Sequence, residues 1–103
     1  MKLYMKGRTN TYNAVAEYDI KTKKIAVLKG SILSTNIQQS NTFKGYNRIQ
    51  QLRQGKTKNN ILQENIEFNS LSTAANFVSG NSSNGLITWK DENGTKIKDI
   101  IKQ

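Results

Sequence analysis

One stretch of the chain, residues 68–89, constrains the fold most because it marks both ends of a short helix. It reads FNSLSTAANFVSGNSSNGLITW. Ser70 is a typical N-cap residue, since its hydroxyl can accept a backbone N–H that the first helical turn leaves free. Gly80 can adopt the left-handed conformation that ends many helices. The apolar residues between these two recur at the spacing of one helix face, which predicts a short helix at about 71–79.

The second half of this stretch predicts a turn and a strand. Residues 81–85 are polar and small, as in a loop. Residues 86–89 (LITW) are typical of a strand because they are β-branched, aromatic or apolar. Trp89 is the single tryptophan of the chain. We expect it to be the largest contributor to the core, and stacking on an exposed base is the alternative role.

The other segments predict an antiparallel sheet and a second, longer helix. Leu3 and Met5 alternate with Lys2, Tyr4 and Lys6, which is the period of a half-buried strand. Residues 12–18, 25–28 and 61–68 also suit strands, and Gly30 suits a bulge after the third of them. Apolar residues from 43 to 54 instead recur every three or four positions.

We therefore predict an α+β fold in a single domain, residues 1–103. Its antiparallel sheet has four or five strands. Its longer helix spans about 43–54, and its short helix spans about 71–79.

The composition excludes several classes of chemistry. The chain has no cysteine and no histidine, so a disulfide, a thiolate nucleophile, an ordinary zinc site and a Ser–His hydrolase are all excluded. The acidic residues lie mostly beside turns or at alternating strand positions, where solvated carboxylates are usual. We expect no catalytic residue, no cofactor and no metal site. A small enzyme is the third alternative, and it would need a polar cleft with convergent carboxylates.

No apolar run approaches the roughly 20 residues of a membrane span. The first residues, MKLYMKGR, also lack the apolar region of a signal peptide. We expect a cytoplasmic protein that does not enter a membrane.

Positive charge is concentrated in the first sixty residues. The formal net charge is +9, with 16 basic and 7 acidic residues. Residues 1–30 and 31–60 each carry a net charge of +5, whereas residues 61–103 carry −1. No acidic residue occurs between Asp19 and Glu64. This asymmetry favours a role of the positive charge in binding a polyanion over a role in solubility alone.

The longer helix and its flanks carry the candidate binding site. Basic side chains would bind phosphates, and the glutamines between them could contact bases or sugars. A solvated helix face is the alternative. Asn84 could pair with adenine, or it could simply complete a tight turn. The N-terminus of the short helix could hold a phosphate, or it could be an ordinary capped end. The candidate nucleic-acid-binding residues are Lys29, Lys44, Arg48, Arg53, Lys56, Lys58 and Asn84.

Two stretches together resemble one family. Residues 27–31 (VLKGS) and 68–89 are similar to elements of the domain of unknown function forty-three fifty-seven. The resemblance covers residues 1–98. Leu71 stands where the family often has proline, and Leu86 stands where it often has a first tryptophan, so an aromatic role at position 86 is not expected.

This resemblance implies a role beside DNA-modifying enzymes. The family is often found with GIY-YIG nucleases or restriction–modification methylases, and its signature is similar to the RAMA domain, which is proposed to recognise modified DNA. The chain has no nuclease signature of its own. We therefore expect non-catalytic binding of nucleic acid, duplex DNA above all, with recognition of modified DNA or targeting for a restriction–modification system. The alternative is a protein-docking module in a nuclease or methylase complex, which would show an exposed apolar patch.

Overall fold

Six strands and four helices lie in the part of the chain that the computed structural model describes, residues 1–8, 11–35, 37 and 46–101. The mixture confirms the predicted α+β class. The strands are β1 (Lys2–Lys6), β2 (Asn13–Asp19), β3 (Lys24–Val27), β4 (Thr57–Lys58), β5 (Ile61–Leu62) and β6 (Ile66–Phe68). The helices are α1 (Tyr46–Arg53), α2 (Leu71–Ser79), α3 (Gly85–Thr88) and α4 (Ile97–Ile100).

The main sheet separates a buried face from a face toward solvent. It is antiparallel, with the described strands in the order β1-β2-β3-β6. Leu3 and Met5 of β1 pair with Ala16 and Ala14 of β2, and all four side chains are buried. The residues between them point to the other side, because side chains alternate along a strand. We call that other side the open face, and its side chains are exposed or half-buried.

The chain bulges out of the sheet after β3, as Gly30 predicts, and returns to it at Ile32. Gly30 has a φ of +92°, which glycine adopts without steric cost. The Ser31 hydroxyl accepts a hydrogen bond from the Val15 N–H at 3.1 Å and donates one to the Val15 carbonyl at 3.2 Å. This side chain therefore supplies the acceptor that the Val15 N–H lacks at the bulge, while the Val15 carbonyl also keeps a backbone donor, the Leu28 N–H at 2.9 Å.

The second strand pair is attached to the main sheet through Ile32. This residue bridges to Asn13 of β2 on one side and to Ile61 of β5 on the other. β5 in turn pairs with β4. The open face therefore extends from β1 across to the short hairpin.

α2 covers the buried face of the sheet, where it contacts β3 and β6. Ala74 and Ala75 are fully buried, and their small side chains let the helix lie close to the strands. The Phe77 ring lies 5.2 Å from the Phe68 ring, within the range of a favourable aromatic pair. Trp89 is the largest fully buried side chain among the described residues, which confirms its predicted place in the core.

The longer helix is observed as Tyr46–Arg53. The first residues of the predicted helix, 43–45, lie outside the described residues, and the observed end is close to the predicted one. Ile49 is buried, as the periodicity requires. Within the described ranges, no helix combines the length and apolar character that crossing a membrane requires.

The predicted strand at 86–89 is wrong, because residues 85–88 form the helix α3. The Asn84 side chain caps this helix by accepting a hydrogen bond from the Leu86 N–H at 3.0 Å. The Gly85 N–H donates to the Ser72 hydroxyl at 3.0 Å. These bonds outweigh the β propensity of the short segment, because propensity is a weak and context-dependent preference.

Candidate nucleic-acid interface

The capped start of α2 fulfils its structural role. The Ser70 hydroxyl accepts a hydrogen bond from the Thr73 N–H at 3.1 Å. Gly80 ends the helix with a φ of 76°, and its N–H donates to the Asn76 carbonyl. These contacts confirm both predicted helix ends. They also favour the capped helix over a phosphate seat, because the cap already satisfies one of the free donors.

Two other candidates from the same stretch have structural partners. Asn84 uses its side-chain oxygen to cap α3. The Trp89 indole N–H donates to the Leu71 carbonyl at 3.0 Å, and the ring is fully buried. Asn84 is exposed, but its acceptor atom already has a partner. This contact favours a structural role for Asn84 over base reading.

Arg53 was predicted to lie on an exposed basic face, and this prediction is wrong. Its side chain is only 8% exposed. The guanidinium donates to the Phe77 carbonyl at 2.6 Å, the Val78 carbonyl at 3.2 Å and the Ser34 carbonyl at 2.7 Å. It also lies 5.7 Å from the centre of the Phe77 ring. These contacts turn the donors inward, away from any phosphate in solution.

Arg53 instead holds the C-terminal end of α2. A cation there is favourable, because the last carbonyls of a helix carry partial negative charge. Burial lowers the pKa of Arg53 to about 10, which still leaves the side chain charged at neutral pH. Its guanidinium group therefore connects α1 to α2 and to the segment at Ser34. Helical periodicity did not reveal this, because Arg53 lies next to the apolar stripe and its partners are distant in sequence.

Arg48 is exposed on α1, as predicted. It lines a groove of about 160 Å³ together with Ser70 and Thr73 at the start of α2. Glu67 also lines this groove, which makes its charge mixed.

The remaining predicted cations lie near the short hairpin. Lys58 is exposed on β4, and Lys29 is exposed in the bulge, where its N–H donates to the Asn65 side chain at 2.7 Å. Lys56 forms an ion pair with Glu64, with 2.6 Å between Nζ and Oε1. Lys44 lies outside the described residues. The predicted basic face is therefore interrupted, because Arg53 is buried and Lys56 is paired with a carboxylate.

A row of exposed residues crosses the open face at one end. Cross-strand pairing joins Lys6 to Asn13, Asn13 to Ile32, Ile32 to Ile61, and Ile61 to Lys58. Directly paired residues project to the same side of a sheet, and all five side chains are exposed. With neighbouring strands about 4.8 Å apart, the row spans roughly 19 Å. We call it the end row, and it has a lysine at each end.

A second row lies beside the end row. The Tyr4 N–H donates to the Lys90 carbonyl at 2.7 Å, and the Lys90 N–H donates back to the Tyr4 carbonyl at 3.0 Å. Lys90 bridges in turn to Lys96, and Tyr4 pairs with Val15. We call these four residues the middle row. Lys90 and Lys96 lie opposite each other, an arrangement of like charges that is unfavourable without an anion nearby.

The far end of the open face is electrostatically different. Lys2 pairs across the strands with Glu17. Lys24 approaches Glu67 to 3.8 Å. The hydrogen bonds that the Lys21 and Thr22 N–H groups donate to Asp19 hold the pKa of that carboxyl below its usual value. Opposite charges are thus interleaved at this end, whereas the described residues of the end and middle rows contain lysines and no carboxylate.

A groove of about 360 Å³ borders the basic end of the open face. Tyr4, Lys6 and Lys90 line one part of it. Asp91 and Glu92 line another part, in the turn that follows Lys90. The groove therefore combines one aromatic ring, two cations and two carboxylates.

Sequence reasoning missed three lysines of this surface. Lys6 could have been found from the sequence, because it alternates with the apolar residues of β1 and so lies on the same side of the strand as Tyr4. Lys90 and Lys96 have none, since they join the surface through isolated bridges between distant segments. The net charge of −1 over residues 61–103 even pointed away from them.

Comparison with known proteins places the chain in a family. Among curated proteins and among solved structures, none matches it. The family model described as "Domain of unknown function (DUF4357)" matches residues 4–101. That range contains Tyr4 and Lys6 of β1 and the whole stretch from Ser70 to Trp89. The chain therefore belongs to the DUF4357 family.

Proposed function

We propose that this domain binds nucleic acid, DNA above all, through the basic end of the open face and does not act on it chemically. One observation carries the proposal: the end and middle rows place Lys6, Lys58, Lys90 and Lys96 on one side of the sheet, with no carboxylate among the described residues of those rows. Lysines at separated points of one face can contact successive phosphates.

The centre of the end row suits the sugar and base parts of the polymer. Ile32 and Ile61 are 44% and 40% exposed, and they lie directly opposite each other. An apolar centre flanked by Lys6 and Lys58 offers contact surface between two phosphate-binding ends. The neighbouring Asn13 can donate and accept hydrogen bonds. Lys29, in the adjacent bulge, adds positive charge at this end.

Charge reversal tests the proposal directly. Fluorescence anisotropy of a labelled 20-nucleotide DNA, duplex and single-stranded, is measured with the wild-type domain and with Lys6→Glu/Lys58→Glu at 50 and 200 mM salt. We expect the double variant to weaken binding at least about tenfold. The slope of the logarithm of the binding constant against the logarithm of the salt concentration should also decrease in magnitude by about 2, because two phosphate contacts are lost.

A matched variant separates the surface from the net charge. Lys21→Glu/Lys98→Glu changes the net charge equally at exposed positions outside the two rows. We expect it to weaken binding less than about threefold. Equal losses in both variants would exclude the basic end as the binding surface. Absence of binding by the wild-type domain at 50 mM salt would exclude the function.

The biological role proposed with this binding is targeting. The domain would bring a nuclease or methylase partner chain to DNA, and modified bases would be one mark that it recognises. Methylated and unmethylated duplexes in the same assay test this finer point. Equal affinity for both would exclude recognition of that modification.

A specific observation favours docking to such a partner chain as the second candidate function. Leu86 and Ile87 are adjacent on α3, and each is 41% exposed. Leu86→Ser/Ile87→Ser would then abolish co-elution with a nuclease or methylase chain in size-exclusion chromatography. Binding to DNA should stay unchanged in this variant. Co-elution that survives the substitutions would exclude this helix as the docking site.

A further inference from the structure

The groove beside Tyr4 has a composition that phosphate binding alone does not explain. Its volume of about 360 Å³ lies within the range of small-ligand sites. Lys6 and Lys90 favour an anion, but Asp91 and Glu92 line the same groove and would repel one. A ligand that fits both halves must carry negative charge at one end and hydrogen-bond donors at the other.

We infer that this groove binds one unpaired nucleotide whose base carries an exocyclic amino group. The inference rests on the proposed function and specifies which part of the polymer enters this site. Lys6 and Lys90 hold the flanking phosphates. The carboxylate of Glu92 accepts hydrogen bonds from the amino group, as acidic side chains do with cytosine.

Tyr4 supplies the stacking surface. Its side chain is half-buried on the open face, and its backbone is fixed on both sides by pairing with Val15 and Lys90. An aromatic ring on the exposed side of a sheet is a common platform for unpaired bases. A paired base inside a duplex cannot present its face to such a ring, so the nucleotide must be single-stranded or turned out of the helix.

The two carboxylates of the groove, Asp91 and Glu92, have different roles. Asp91 accepts hydrogen bonds from the Asn93 and Thr95 N–H groups, both at 2.9 Å, through one oxygen. It therefore holds the turn in shape. Glu92 is exposed, and the described residues include no hydrogen-bond partner for its side chain. Glu92 is thus the residue that can bind a base without loss of the turn.

The first test compares single-stranded homopolymers. Anisotropy with labelled oligo(dC) and oligo(dT) of 12 nucleotides is measured for the wild-type domain, Glu92→Gln and Glu67→Gln. We expect oligo(dC) to bind about tenfold more tightly than oligo(dT) to the wild type, because thymine lacks an amino group. Glu92→Gln should bring this ratio toward one. Glu67→Gln removes the same charge from the same face outside the groove and should keep the ratio.

The second test removes the ring. Tyr4→Leu should weaken binding of oligo(dC) by about tenfold, because stacking on an aromatic side chain is lost. Tyr4→Phe should bind oligo(dC) about as tightly as the wild type, because it keeps an aromatic ring. Thermal unfolding of both variants verifies that the sheet is intact. Observation of the Tyr4 ring resonances by NMR during titration of the wild type gives a readout that needs no substitution, since a stacked base shifts them upfield.

The outcomes distinguish this inference from the proposed function. If Lys6→Glu/Lys58→Glu weakens binding but Tyr4→Leu does not, the domain binds nucleic acid and the groove is not a base site. If oligo(dT) binds as tightly as oligo(dC), the assignment to amino-bearing bases is wrong. If no DNA binds, both proposals fail together.

Discussion

The stretch from Ser70 to Trp89 and the basic end of the open face use their polar side chains in opposite ways. In the stretch, Ser70, Ser72, Asn84 and the Trp89 indole all have partners within the unit. On the open face, Lys6 and Lys58 point to solvent from the ends of the end row. The recognisable motif therefore stabilises the fold, and the proposed binding surface lies elsewhere.

This contrast explains why the family signature does not point to the proposed binding surface. The signature residues fit each other so closely that they have little capacity left for a ligand. Lys6 and Lys58 form no ion pair within the part of the chain that the structure describes, but their alternating pattern resembles that of any half-exposed strand. Substitutions in the first region should therefore change stability, and substitutions in the second should change affinity.

Gly85→Ala should give the largest effect on stability. An added Cβ would overlap the Leu71 carbonyl group and lie 2.5 Å from the Ser72 nitrogen. Both neighbours belong to backbone, so they cannot rotate away. We expect a loss of about 3 kcal/mol in the free energy of unfolding, at the upper end of overpacking effects. Chemical denaturation measures it. Gly94→Ala, where no atom lies within 4 Å of the added Cβ but φ is positive, should cost less, and an equal cost would contradict the steric argument.

Arg53→Met should come second. The substitution keeps the apolar stem but removes the guanidinium donors from the Phe77, Val78 and Ser34 carbonyls. The Val78 carbonyl keeps one donor, the Ser34 N–H at 2.9 Å. We expect about 2 to 3 kcal/mol of lost stability, because unsatisfied buried acceptors are costly. Arg48→Met on the same helix is the control, with a change within about 0.5 kcal/mol at an exposed position. A DNA-binding defect in Arg53→Met without loss of stability would contradict the structural role.

Asn84→Ala should give the smallest of the three effects. It removes the N-cap of α3, which typically costs about 1 kcal/mol. Asn84→Asp keeps an oxygen acceptor and should retain most of the stability. Anisotropy should show unchanged affinity for DNA in the alanine variant once folding is verified. A clear loss of affinity would instead restore Asn84 as a base-reading residue and break the division between the two regions.

Local signals were sufficient for most of the fold. Ser70 and Gly80 marked α2 correctly, because each acts within one helical turn. Alternation placed Leu3 and Met5 in the core and Lys6 on the opposite face. The strand predicted at 86–89 failed because the cap and the close contact of Gly85 with Ser72 decide that segment, and the second of these joins residues far apart in sequence.

The site was less predictable than the fold for the same reason. Whether Arg53 is a surface cation or a buried clamp depends on Phe77 and Val78, which are more than twenty positions away. Lys90 and Lys96 reach the open face only through isolated bridges. The distribution of charge along the sequence does not reveal such contacts between distant segments.

The bulge after β3 has a consequence for how this domain tolerates changes in length. Without it, the register of β2 with β3 would set residue 30 opposite Asn13, whereas Ile32 stands there. The bulge thus adds two positions, an even number, so Ile32 still faces outward and Leu33 still enters the core. Loss of a single residue between 28 and 31 would exchange these two side chains, because strands repeat every two residues. Evolution can therefore lengthen or shorten this segment only in steps of two if both faces of the sheet are to keep their character.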